Sequence, residues 1–278
     1  VLRIGIAVEV ILYCASLGRD WNYLFASHGG GLISRQASEI LLSSESALVP
    51  RLSWLVDLAG HFHISESTAL FLTWLALLDA ALLLLFGLFT RGAAIATWFI
   101  HLAAVKSGGL LSYGVDNFTT IGLFYLILSP LPDRWAIDHR SRNVPLKDQQ
   151  LHAFFRRVLQ LHLCLIYFFG GLAKCLGLGW WTGESIWRAL THPPFNVIPP
   201  EVLVHWRILF PFASISTALL ETGYPIMIWP RATRRLWLLG ILGMHVAIGL
   251  TMGMYLFALI MLVLNLAAFG PGALWREE

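Results

Sequence analysis

Apolar runs of near-membrane length recur along the whole chain, separated by short stretches rich in charge, glycine or proline. They cover residues 4–17, 67–89, 93–105, 113–131, 158–174 and 208–228. Residues 236–269 are too many for one helix, and the glycines at 249 and 253 mark a break that divides them into two. A membrane-crossing helix needs about 20 mainly apolar residues. The pattern therefore predicts an all-α fold, a polytopic integral membrane helical bundle of about eight transmembrane helices, forming one domain over residues 1–278. The first run is short for a span, and residues ahead of Val1 are expected to complete it. Residues 18–66 and 175–206 are predicted extramembrane loops, the first with an amphipathic surface helix near residues 52–58.

Composition agrees with the pattern. Hydrophobic residues make up 57% of the chain and charged residues 13%, with a mean hydropathy of +0.70. These values exclude an ordinary soluble domain, and nothing suggests nucleic-acid binding. Arg91, the basic cluster at 134–157 with Lys147, and Arg231, Arg234, Arg235 and Arg276 fall on one set of connections. The positive-inside rule makes those connections and both termini cytoplasmic, and a bacterial inner (cytoplasmic) membrane is the expected location. Cys14, Cys164 and Cys175 lie in or at apolar segments without a CxxC pair, as packing residues do. His61 and His63 lack a carboxylate or cysteine at ligand spacing, so no metal site is expected.

Polar residues inside the apolar runs are the candidates for chemistry. Glu9, Asp79 and Glu221 each read as a lone acid acting as a protonated or hydrogen-bonded clamp between helices. Arg3 is too far along the same helix to reach Glu9, whose partner must sit on another helix. His101 reads the same way. Lys174 ends an apolar helix, where a lysine commonly snorkels to the interface. Its flanks suggest more. Gly170 and Gly171 thin the helix one turn earlier, so that a backbone or a flat ligand can approach. Trp180 and Trp181 then mark the lipid boundary. An amine taken out of water favours its uncharged form and becomes a general base. Tyr167, seven residues back, shares the face of Lys174. Asp116 and Asn117 open a helix from the same outer side, and His245 lies about 15 Å along its helix from Arg235. These groups are expected to converge, whereas His162 lies about 18 Å from Lys174 along the helix and about 120° around it.

The pattern Tyr167-Phe168-x-Gly170-Gly171-x-x-Lys174 with Trp and Gly behind it resembles the HTTM domain, the membrane domain shared with vitamin K-dependent gamma-carboxylase. The resemblance covers nearly the whole chain. It includes Arg3, the run from Tyr113 to Asn117, Trp135-Ala136-Ile137-Asp138, Glu221, and His245 before the break at 249–253. It implies a quinol oxygenase or carbon–carbon lyase type of enzyme using vitamin K hydroquinone or another isoprenoid quinol, with Lys174 as the base and His245 lining the site. Asp116, Asn117, Tyr167 and Trp181 are added as cofactor-binding residues from position. Two departures matter. The carboxylase carries a β-rich extramembrane domain where this chain ends at Glu278, and the family's Asn-His pair falls on Asp133-Arg134 here. A cavity for a quinone or another flat lipid transfers better than peptide carboxylation. Membrane lipids are the expected partners, with a peptide substrate or partner membrane subunits besides. The alternatives are a noncatalytic subunit of a larger membrane complex and a peptide maturation or export partner.

Overall fold

The computed structural model describes residues 1–27, 35–46, 48–109, 111–142, 149–271, 273 and 274. Among them the regular structure is helical, with no β-strand. The glycine run at 29–31, Lys147 and Arg276 lie outside the described residues. The chain divides into two compact units, residues 1–152 and 153–278.

The first unit holds α1 (Leu2–Leu17), α2 (Trp21–Phe25), α3 (Arg35–Glu45), α4 (Leu52–Gly60), α5 (Glu66–Phe86), α6 (Thr90–Ser107), α7 (Gly114–Leu128) and α8 (Ile137–Arg142). Helix α1 packs on α5 and α7, and α6 packs on both α5 and α7. On α5 the buried positions Leu70, Leu77, Ala81 and Leu84 repeat at helical spacing and form the face toward this core. The helix expected near residues 52–58 is α4, held against α5 and α6. Its first backbone N–H, at Leu52, donates to Ser107 Oγ at 2.9 Å, and Ser38 Oγ donates to Ser107 O at 2.7 Å. Two hydroxyl bonds thus tie the segment after α2 to the end of α6.

Arg3 organises one end of this unit. Its guanidinium forks onto Asp133 at 2.5 and 3.1 Å and donates to the carbonyls of Leu84 and Leu85 at 2.7 and 2.6 Å. Those carbonyls belong to the last turn of α5, where the regular intrahelical donors run out, and Leu84 O also accepts from the capping Gly87 N at 3.2 Å. Helix α5 stops at Gly87, whose φ of +71° only glycine adopts readily, and a Cβ there would lie 2.6 Å from Ala136 Cα. Asp138 then accepts from the backbone N–H of Phe89 at 3.1 Å, and from Thr90 N and Oγ1 at 2.8 and 2.7 Å. Its carboxylate supplies acceptors to the start of α6.

The second unit holds α9 (Gln149–Leu176), which begins at the boundary, then α10 (Leu178–Thr182), α11 (Glu184–Thr191), α12 (Pro200–His205), α13 (Leu209–Met227), α14 (Arg231–Met252) and α15 (Tyr255–Phe269). Helices α14 and α15 pack along each other, and α13 packs on α10, α11 and α14. The expected break falls at Gly253, φ +70°. Three described helices, α5, α9 and α14, are long and apolar enough to cross a membrane. Helices α7 and α15 are apolar but shorter, at 15 residues each.

The Arg3 fork makes a measurable prediction. Burial pushes the Asp133 carboxyl up, but the bonds and charge of Arg3 outweigh it and hold the group below the usual carboxylate range. A carboxyl lowered in the folded state stabilises fully above its unfolded value of about 4, and that contribution is lost as pH falls through the folded value. Asp133→Ala leaves a guanidinium that is only 2% exposed without its counter-ion and should cost about 2 kcal/mol. Thermal melts in mild detergent should also show a flatter acid limb for Asp133→Asn than for the wild type.

Candidate functional site

Helix α9 buries Leu159, Leu163, Tyr167 and Gly171 at four-residue spacing, one ridge along its length. At Gly171 a Cβ would stand 2.4 Å from Thr222 N and 2.5 Å from Thr222 Oγ1. Only a glycine lets the backbone of α13 come this near. Three residues on, Lys174 Nζ meets Glu221 Oε2 at 2.6 Å, with side chains 22% and 11% exposed. Lys174 also reaches Gly170 O at 3.4 Å, and its ammonium lies 5.1 Å from the centroid of the Trp180 ring. Cys175 Sγ and Thr222 Oγ1 are 3.4 Å apart beside the pair. The clamp expected of Glu221 is therefore present, and its partner is the lysine that the sequence presents as a solitary base.

A second polar cluster lies behind this pair. Helix α13 buries Ser214, Ala218, Glu221 and Tyr224 on one face, and α14 buries Leu238, Ile241, His245 and Gly249. Tyr167 Oη lies 2.8 Å from His245 Nε2. Asn265, fully buried on α15, donates to Tyr167 Oη at 2.8 Å and to Met261 O at 2.8 Å. Tyr224 Oη donates to Asn265 Oδ1 at 2.7 Å. His245 Nδ1 meets no hydrogen-bonding partner among the described residues.

Lys174, Trp180, Glu221 and His245 line a cavity of about 690 Å³ whose remaining walls are mostly apolar, with Leu203 and Phe210 among them. Leu190, Leu203 and Phe210 form the buried cluster from which those walls are built. Tyr167 stands outside the lining and acts on the cavity through His245. The assignment of Trp181 is corrected. Its ring is 46% exposed, its indole N–H donates to Cys175 O at 2.9 Å, and the neighbouring Trp180 takes the cavity position. Consecutive residues on the short helix α10 point about 100° apart, so one of two adjacent tryptophans faces in.

Asp116 and Asn117 belong to the first unit. Asp116 Oδ2 accepts from Tyr113 N at 2.9 Å in a capping box at the start of α7. Asn117 lines another cavity of about 350 Å³, together with Ser107 and Ser112. The cavity around Lys174 and His245 is lined by residues of the second unit. Two other expectations change. Glu9 is fully buried, and neither of its oxygens has a hydrogen-bond partner among the described residues, so no bonded clamp is seen there. Asp79 is exposed on α5 rather than held between helices, because the buried positions 70, 73, 77, 80, 81 and 84 lie on the other side of that helix. His101, by contrast, is buried, with Nδ1 3.2 Å from Thr120 Oγ1 and its ring 5.2 Å from that of Tyr13. Among the described residues no group of three or more His, Cys, Asp or Glu side chains could hold a metal ion.

No family model, curated protein or solved structure matches this chain significantly.

Three substitutions check these placements. Gly171→Ala forces α9 and α13 apart and should cost about 2–3 kcal/mol, seen as a lower melting temperature in detergent. Gly92→Ala on α6, with nothing within 4 Å of the added Cβ, should be neutral or stabilising by up to about 1 kcal/mol. Glu9→Gln removes an unpaired ionisable group from a buried site, so its melting temperature should equal or exceed that of the wild type.

Proposed function

We propose that this chain is an integral membrane protein of the HTTM type, with about eight spans and both termini cytoplasmic, that binds an isoprenoid quinol in the cavity of its second unit. The observation that carries the reading is the composition of that cavity: Lys174, Glu221 and His245 meet within walls otherwise mostly apolar. Apolar walls with a few convergent polar groups are what a lipid-soluble ring compound requires. The distribution of arginines supports the orientation, and a bacterial inner membrane is the location it fits.

The side chains suit proton transfer at a ligand hydroxyl. A quinol supplies an acidic hydroxyl of this kind. Glu221 takes up the proton, while the Lys174 ammonium, 2.6 Å from Oε2, stays opposite the oxygen that gave it up. This divides the role first assigned to Lys174 alone, with the carboxylate as acceptor and the ammonium as electrostatic partner. His245 offers a further polar contact at the same wall. The Trp180 ring, 5.1 Å from the ammonium, adds a cation–π contact.

A second reading, a noncatalytic subunit of a larger membrane assembly, is favoured by Asp79. It sits mid-helix on the exposed stripe of α5 formed with Leu72, Ala76, Leu83 and Phe86. A carboxylate facing lipid is costly, and a partner helix carrying a basic group would shield it.

Native mass spectrometry with lipid extraction on the detergent-purified protein separates the two. The quinol reading predicts about one isoprenoid quinone per chain, with occupancy reduced at least about tenfold in Lys174→Ala and in Glu221→Gln, equivalent to about 1.4 kcal/mol or more. A copurifying membrane protein that is lost on Asp79→Asn, with no quinone, overturns it in favour of the assembly.

A further inference from the structure

Four side chains from four helices make a chain of hydrogen bonds whose direction is fixed at one point. Met261 O is a backbone carbonyl and can only accept. It receives the Asn265 amide nitrogen at 2.8 Å, which sets the amide so that Oδ1 faces Tyr224 Oη at 2.7 Å and Nδ2 faces Tyr167 Oη at 2.8 Å. Turning the amide over would set its oxygen against the Met261 carbonyl. Tyr167 therefore accepts from Asn265, and its own hydrogen is left for His245 Nε2 at 2.8 Å. An Nε2 that accepts places the hydrogen of a neutral imidazole on Nδ1. Nδ1 is buried and meets no acceptor among the described residues, and His245 is one of the residues that line the cavity.

We infer that Tyr224, Asn265 and Tyr167 hold His245 as its Nδ1–H tautomer, and that the cavity selects apolar ring compounds bearing an acceptor oxygen to receive that hydrogen. The inference rests on the cavity being the ligand site proposed above and adds what the ligand must carry. A buried donor without an acceptor is penalised, so a ligand of the same shape lacking oxygen leaves the penalty in place. His245 is then a donor to the ligand and not a base. Tyr167 and Asn265 are positioning residues that act through it. The Phe257 ring, edge-on to the imidazole at 5.6 Å, limits rotation of the ring on its other side.

Nitrogen-15 NMR of the full chain, histidine-labelled and in lipid nanodiscs, reads the tautomer directly, with His245→Gln to assign the signals. The expected result is a protonated Nδ1 and an unprotonated Nε2 in the wild type, changing to a mixture of tautomers in Tyr167→Phe. A protonated Nε2 in the wild type, or an unchanged spectrum in Tyr167→Phe, overturns the inference. Ligand choice is read with 2-methyl-1,4-naphthoquinone and 2-methylnaphthalene, which share a shape and differ in the ring oxygens. The quinone should bind the wild type about tenfold more tightly than the hydrocarbon, and Tyr167→Phe should remove most of that difference by weakening the quinone alone. Equal affinities for both probes in the wild type overturn the acceptor requirement. If neither probe binds, the cavity reading falls, and the NMR result still decides the tautomer.

Discussion

Where α9 meets α13, a missing side chain at Gly171 allows two backbones to approach until Thr222 N would touch a Cβ. That closeness lets a lysine and a glutamate meet at 2.6 Å in surroundings where each alone would be expensive. The partners must neutralise each other across the helix contact, because an uncompensated charge in an apolar interior costs several kcal/mol. Much of the cavity depends on this contact. The register it sets places Tyr224 three residues beyond Glu221 on the same face of α13, within reach of Asn265 and with its ring tilted 37° against that of Tyr167, centroids 4.3 Å apart. The ion pair at the cavity wall and the neutral relay behind it are two consequences of one close approach.

Helix positions were legible in the sequence because a run of apolar residues has few other solutions, and the Gly253 turn was legible because glycine punctuates such runs. Lys174 stood out as the cation at the end of its run. Its pairing with Glu221 was not readable, since the residues are 47 positions apart and a sequence does not state the register between two helices. Trp180 and Trp181 offer the same chemistry, and only the rotation of α10 distinguishes them. Asn265 and Tyr224 carry no charge and pass for packing in a list of apolar residues. Asp79 misled for a related reason. Periodicity shows that α5 has a buried face, but a lone acid in mid-run suggests burial when it lies on the face opposite.

The stretch Trp135-Ala136-Ile137-Asp138, noted for its resemblance to a family pattern, serves the fold in the first unit. Ala136 fills the space that Gly87 leaves open, and Asp138 accepts from the first residues of α6. Arg3 secures the carbonyls of α5 on the same side. These residue types are dictated by helix ends whose donors and acceptors have no intrahelical partners. A role in satisfying helix ends carries no information about chemistry.

Helix length carries a final implication. Helices α7 and α15 contain 15 residues each, so each rises only about 22 Å. A typical hydrocarbon layer is about 30 Å thick. In the eight-span arrangement these helices impose a hydrophobic mismatch, which the surrounding lipid relieves by compressing its acyl chains at a cost of a fraction of a kcal/mol per Å. The protein would then carry its own thin patch of bilayer, and membranes of short-chain lipids would suit it better than thick, sterol-like ones.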